Sequence, residues 1–171
     1  MIDADRPAWS AWLAGAVGLA LTLWLFFPGY MSWDSAYQWW QVRHGIVDPI
    51  FPPVMGGIWR VTEWLSPGPG GYFLYQATLY WLAFAAFAAS LSVPAWGRVL
   101  IVLGLGLWPP VWAVSTHVWK DAAMLSWFVL AVACLCQDAR RPSRGLRLLA
   151  LACIALGAAY RYNALSAALP L

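Results

Sequence analysis

Long, unbroken apolar runs alternate with short polar breaks along this chain. Five runs, at residues 9–27, 72–92, 98–116, 119–137 and 146–160, keep charged residues out of their interiors. A helix needs about 20 residues to cross a ~30 Å hydrocarbon core. The first four runs meet that length, the fifth is short, and a sixth begins after Asn163. The pattern predicts an all-α fold: a polytopic transmembrane helix bundle.

Two stretches break the pattern. Residues 28–53 read PGYMSWDSAYQWWQVRHGIVDPIFPP, too polar and too interrupted by Pro and Gly to lie in lipid. Within them, Asp34 suits a helix N-cap and Gly45 a C′ position, predicting a helix over 35–44. On that helix Asp34, Gln38 and Gln41 align at i, i+4 and i+7 as a polar stripe. Residues 54–65 are apolar but carry Arg60 and Glu63, and 12 residues are too few to span. At i and i+3 the two charges share a face and are expected to pair, as on an amphipathic helix lying in the interface. The first loop is thus expected to hold two interfacial helices.

Charge decides the orientation. With 54–65 lying flat and the N-terminus cytoplasmic, six of the ten Lys and Arg face inward: Arg6, Arg98, Arg140, Arg141, Arg144 and Arg147. The short loop ARRPSRGLR is a strong inside signal. A crossing helix at 54–65 would send that loop outward. The expectation is a multi-pass plasma-membrane protein whose first loop is extracytoplasmic. On the same outer side fall Asp34, Arg43, His44, Asp48, Arg60, Glu63, His117, Lys120, Asp121 and Arg161.

Composition agrees. Hydrophobic residues make up 63% and charged residues 10%, against about a quarter charged in soluble domains. Mean hydropathy is +0.65. Fourteen Trp and seven Tyr favour the headgroup boundary. A net charge of +3 gives no case for nucleic acid as a partner. Cys134, Cys136 and Cys153 lie in apolar runs without a neighbouring His, which reads as small apolar packing rather than a zinc site or disulfide. Asp3 and Asp5 replace the basic cluster of a signal peptide. The chain ends inside a fresh apolar run, so it is expected to be a module truncated at its C-terminus.

Several residues can carry chemistry, each beside a plainer role. Asp34 suits a general base or metal ligand, or only a helix cap. Lys120 can neutralise a phosphate, with Asp121 orienting it or capping the next helix; a Lys at a helix end also snorkels. Arg161, flanked by two Tyr and followed by Asn163, suits a fixed anion site. His117 is a proton shuttle or a loop-end histidine. Gln38 and Asn163 are candidate polar orienters of substrate.

Taken together, PGYMSWDSAYQ, the Pro pair before the second flat helix, VWKDA and RYNALSAALP resemble bacterial members of the GT-C class of membrane glycosyltransferases. The likeness covers most of the 171 residues, as the N-terminal half of such an enzyme. It implies transfer of a sugar from a polyprenyl-phosphate donor to a lipid, glycan or protein acceptor, at the extracytoplasmic face of a bacterial inner membrane. Asp34 matches the class's first-loop acidic residue, which activates the acceptor or binds a metal. Lys120 and Arg161 match cations that hold the donor phosphate. Asp34 is flanked by Trp33 and Ser35, where some members carry an Asp-x-Asp or Asp-Glu pair, and a divalent metal is left open. The main alternative is a non-enzymatic membrane protein, either a transporter segment or a lipid-binding assembly subunit. Another is an outer-face polymerase or ligase acting on the same lipid-linked sugars.

Overall fold

In a computed structural model, residues 8–46, 48 and 50–164 are described. Their helices are α1 (Trp9–Phe26), α2 (Trp33–His44), α3 (Pro53–Thr62), α4 (Gly70–Ser90), α5 (Ala95–Gly106), α6 (Pro109–Ser115), α7 (Lys120–Arg140) and α8 (Arg144–Ala158). No strand occurs among the described residues. Three of these, α1, α4 and α7, are long and apolar enough to cross a membrane. The bent pair of α5 and α6 makes a fourth if it counts as one span. Helix α8 has 15 residues, about 22 Å at 1.5 Å per residue; it is shorter than these spans, yet it runs back along α7 far enough to bring Arg161 to Asp121.

The single span expected over 98–116, with its break at Pro109 and Pro110, is two helices meeting at 65°. Pro109 and Pro110 have no N–H to continue the ladder of α5, and Pro109 instead opens α6, where the missing N–H is harmless. An unpaired carbonyl in lipid costs several kcal/mol. At the end of α5, the buried Tyr80 hydroxyl donates to the Gly106 carbonyl at 2.8 Å.

Helix α4 is the most buried helix and packs against α1, α5 and α7, while α7 pairs with α8. Its Trp81 explains the close approach of α1 and α5. A Cβ at Gly18 would lie 2.3 Å from the indole, and one at Gly106 would lie 2.4 Å from it. Small residues let backbones close on a large ring where lipid supplies no hydrophobic drive. The Trp81 indole donates to Thr22 Oγ1 at 2.9 Å, and Trp112 donates to the same oxygen at 3.1 Å.

Helices α2 and α3 pack on each other at one end of the bundle, and α3 also abuts α4. A Cβ on Gly71 would sit 2.0 Å from the Thr62 carbonyl oxygen, so α4 meets the end of α3 only through a glycine. Two expectations change here. The N-cap of α2 is Ser32, not Asp34: the Ser32 and Ser35 side chains each accept from the other's backbone N–H, at 3.3 and 2.8 Å. Short hydroxyls close this reciprocal box, leaving Asp34 in the first turn beside the positive helix end. Glu63 does not pair with Arg60. It bonds Arg43 at 3.3 Å and accepts from Trp39 Nε1 at 3.2 Å, because α2 lies alongside α3 and brings both donors to it. Gly45 does end α2 in the left-handed conformation, φ 65°.

The opposite end carries a separate polar set. Arg140 donates to the Ser90 carbonyl at 2.7 Å, and Arg147 pairs with Asp138 at 2.9 Å. Exposed rings mark both ends: Trp24, Trp33, Trp64 and Tyr162 near α2 and α3, Trp9 and Trp96 at the other. Girdles of this kind are typical of membrane–water boundaries.

Candidate functional site

The loop after α1 and the segment before α7 build the floor of the α2 end. Gly29 has φ 95°, and a Cβ there would meet the Phe73 ring at 2.7 Å. Only glycine serves both demands. The chain then runs beside residues 116–118: Tyr30 N–H donates to the Thr116 carbonyl at 3.1 Å and Val118 N–H to that of Tyr30 at 2.9 Å. Gln76, fully buried in α4, completes this floor. Its amide nitrogen donates to the carbonyls of Ser115 and His117 at 2.9 and 2.7 Å, and its oxygen accepts from Trp119 N–H at 3.1 Å. One side chain thus satisfies three backbone groups between the end of α6 and the start of α7. Trp119 Nε1 donates to Ser32 Oγ at 2.7 Å, tying the start of α7 to the cap of α2.

This floor sets where the charges fall. Lys120 and Asp121 occupy the first turn of α7. Arg161 follows α8, on a turn pinned by Tyr160, whose hydroxyl bonds that of Tyr75 in α4 at 3.0 Å. Arg161 Nη1 meets Asp121 Oδ1 at 2.5 Å. The partly buried Lys120 ammonium stands 4.2 Å over the Phe51 ring. The bond from Trp119 to Ser32 sets the first turn of α7, with Lys120 and Asp121, against the first turn of α2, with Asp34. Four candidates from three separate parts of the chain therefore converge at one end of the bundle. Asp34 is exposed on α2.

The other candidates are placed differently. Gln38 is buried, donates from Nε2 to the Asp34 backbone carbonyl at 3.3 Å, and lines a cleft between α2 and α3. The expected polar stripe is therefore split: Asp34 faces out while Gln38 and Gln41 face α3. Asn163 sits exposed on the turn after Arg161. His117 Nδ1 lies 3.0 Å from the Ala113 carbonyl oxygen, and its ring is flanked by Tyr30 and Trp119.

Two carboxylates and two cations balance in charge. Each Arg carries five donors, so a guanidinium held by Asp121 keeps others to offer an anion. No group of three or more His, Cys, Asp or Glu side chains that could hold a metal ion occurs among the described residues. The donor chemistry of the cluster, half of it cationic, does not fit a divalent ion.

Sequence reasoning missed Gln76, Ser32 and Phe51. A lone Gln inside a long apolar run was the available signal for the first. The chain matches no protein-family model, no curated protein and no solved structure.

Proposed function

We propose that this chain is part of a membrane glycosyltransferase that moves a sugar from a polyprenyl-phosphate donor to an acceptor hydroxyl at the extracytoplasmic face. The observation that carries the reading is the convergence of Asp34, Lys120, Asp121 and Arg161 beside exposed aromatic residues. In the proposed step, an Asp34 carboxylate oxygen takes the proton of the acceptor hydroxyl. That hydroxyl oxygen bonds to the anomeric carbon as the bond from this carbon to the phosphate oxygen breaks. The electron pair leaves with the lipid phosphate, where Lys120 and Arg161 meet the growing charge. Direct displacement inverts the anomeric centre.

Magnitudes support these roles. Fixed cations aimed at developing charge near lipid contribute a few kcal/mol per donor, and a placed base about 10²–10⁴ in rate. Asp121 holds Arg161 in orientation, which lowers the cost of ordering a flexible guanidinium. The bacterial inner membrane, the cytoplasmic N-terminus and the flat lie of α2 and α3 belong to the same proposal. A transporter would gather its ionisable groups around a broken helix near the midplane. Here the break between α5 and α6 is lined by Leu107, Trp108 and Pro109, while the charges sit at the bundle end.

The test is transfer of radiolabelled hexose from a polyprenyl phosphate to membrane acceptors in liposomes. Asp34→Asn should lower turnover about 10²–10⁴-fold, and Lys120→Met about 10²–10³-fold. Undiminished turnover in Asp34→Asn removes the carboxylate from the mechanism.

A further inference from the structure

Beside the charged cluster, α2 and α3 enclose a cleft of about 240 Å³. Its walls differ in kind. Val42, Phe51, Pro52 and Pro53 present an apolar surface, while Gln41, Asp48 and Arg60 supply polar groups. Asp48 is held in place: Oδ2 accepts from the Tyr37 hydroxyl at 2.8 Å and Oδ1 from Ile50 N–H at 2.9 Å. Each oxygen keeps a second lone pair. Arg60 is exposed and forms no ion pair among the described residues. Gln41 is 7% exposed, and its Nε2 has no hydrogen-bond partner. A buried amide donor left unpaired is costly, and this one belongs to a side chain that lines a cleft.

We infer that this cleft binds a single neutral sugar ring. Fixed acceptors on Asp48 and donors on Arg60 and Gln41 match hydroxyls, which both give and accept hydrogen bonds. The Phe51 ring and the prolines match the apolar C–H face of a pyranose. Charge argues against the other ligand classes. An anion drawn to Arg60 meets Asp48, a cation drawn to Asp48 meets Arg60, and an acyl chain leaves all three polar groups unpaired. The volume suits a guest of about one ring, since pockets for drug-sized ligands measure roughly 300–1,000 Å³. Phe51 links the cleft to Lys120, which lies over the ring. The inference is independent of the transferase reading, because a transporter or assembly subunit would hold a sugar through the same contacts.

The test is saturation-transfer NMR on the protein in phosphatidylcholine nanodiscs, free of glycoside detergent. Methyl glucoside, methyl galactoside and N-acetylglucosamine serve as probes, with glucuronate and inorganic phosphate as competitors. Ring protons of at least one neutral probe should receive saturation. Gln41→Leu should weaken its binding about fivefold to tenfold, the worth of one hydrogen bond. Gly57→Leu should abolish binding by filling the cleft, since a Cβ at Gly57 has nothing within 4 Å and the residue lines the space. Thermal unfolding of each variant, read alongside, separates lost binding from lost fold. No transfer to any neutral probe in the wild-type protein overturns the inference. So does equal transfer in folded Gly57→Leu, or complete displacement by phosphate or glucuronate at equal concentration. These outcomes read binding alone and leave the turnover assay of Asp34→Asn to judge the transferase reading.

Discussion

Replacing Thr22 by Val keeps the shape of a side chain that is 1% exposed and removes its hydroxyl. Two indoles lose their acceptor at once, Trp81 at 2.9 Å and Trp112 at 3.1 Å. The isosteric change opens no cavity, so the cost is that of two unpaired donors between helices. Interhelical hydrogen bonds in membranes average about 0.6 kcal/mol and reach about 1.7 kcal/mol. Two of them predict a loss of about 1–3 kcal/mol. The assay is equilibrium unfolding in mixed micelles, run as a double-mutant cycle with Trp112→Phe. In that background one donor is already gone, and Thr22→Val should cost about half as much. A wild-type stability for Thr22→Val, or an equal cost in both backgrounds, would refute the shared-acceptor reasoning.

Gly71→Ala places a Cβ 2.0 Å from the Thr62 backbone oxygen, which cannot yield without moving α3. It should destabilise by about 1–3 kcal/mol in the same unfolding assay. Its control, Gly57→Ala, meets nothing within 4 Å and should be neutral or stabilise by up to about 1 kcal/mol through helix propensity. The bond to Asp48, then burial, then the Asp48 charge hold the Tyr37 phenol above its ordinary range. A folded value raised in this way adds stability below the ordinary tyrosine pKa of about 10 and loses it as pH climbs through the higher folded value. The difference absorbance titration of wild type against Tyr37→Phe should therefore have a midpoint above that of free tyrosine, and Asp48→Asn should bring it back; an undisplaced midpoint counts against the contact. Glu63→Gln weakens a pair whose Arg43 partner is 55% exposed, so it should cost less than about 1 kcal/mol, and less still at high salt.

Much of the fold was legible because lipid imposes a simple rule on length and polarity. The runs at 9–27, 72–92 and 119–137 correspond to α1, α4 and α7 within three residues at each end. Gly45 ended α2 as expected, since only the backbone there matters. The misreadings share a cause. Ser32 displaced Asp34 as cap, and Arg43 displaced Arg60 as partner of Glu63, because several neighbours qualified and tertiary packing chose among them. The bend before Pro109 was visible as a Pro pair, but its angle depends on what α6 packs against. At the site, the gathering of Asp34, Lys120, Asp121 and Arg161 followed from loop parity. The Asp121–Arg161 contact and the seat of Lys120 on Phe51 did not, since both depend on side chains from segments far apart in the chain.

The indole of Trp81 has consequences for how this chain can change over time. Positions 18, 81 and 106 form one coupled trio, because the ring occupies the room that side chains would need at the two glycines. A descendant that acquires a methyl at either glycine is expected to carry a smaller residue at 81, and to give up the bond to Thr22 with it. A natural variant with alanine at 18 and tryptophan still at 81 would have to hold α1 farther from α4.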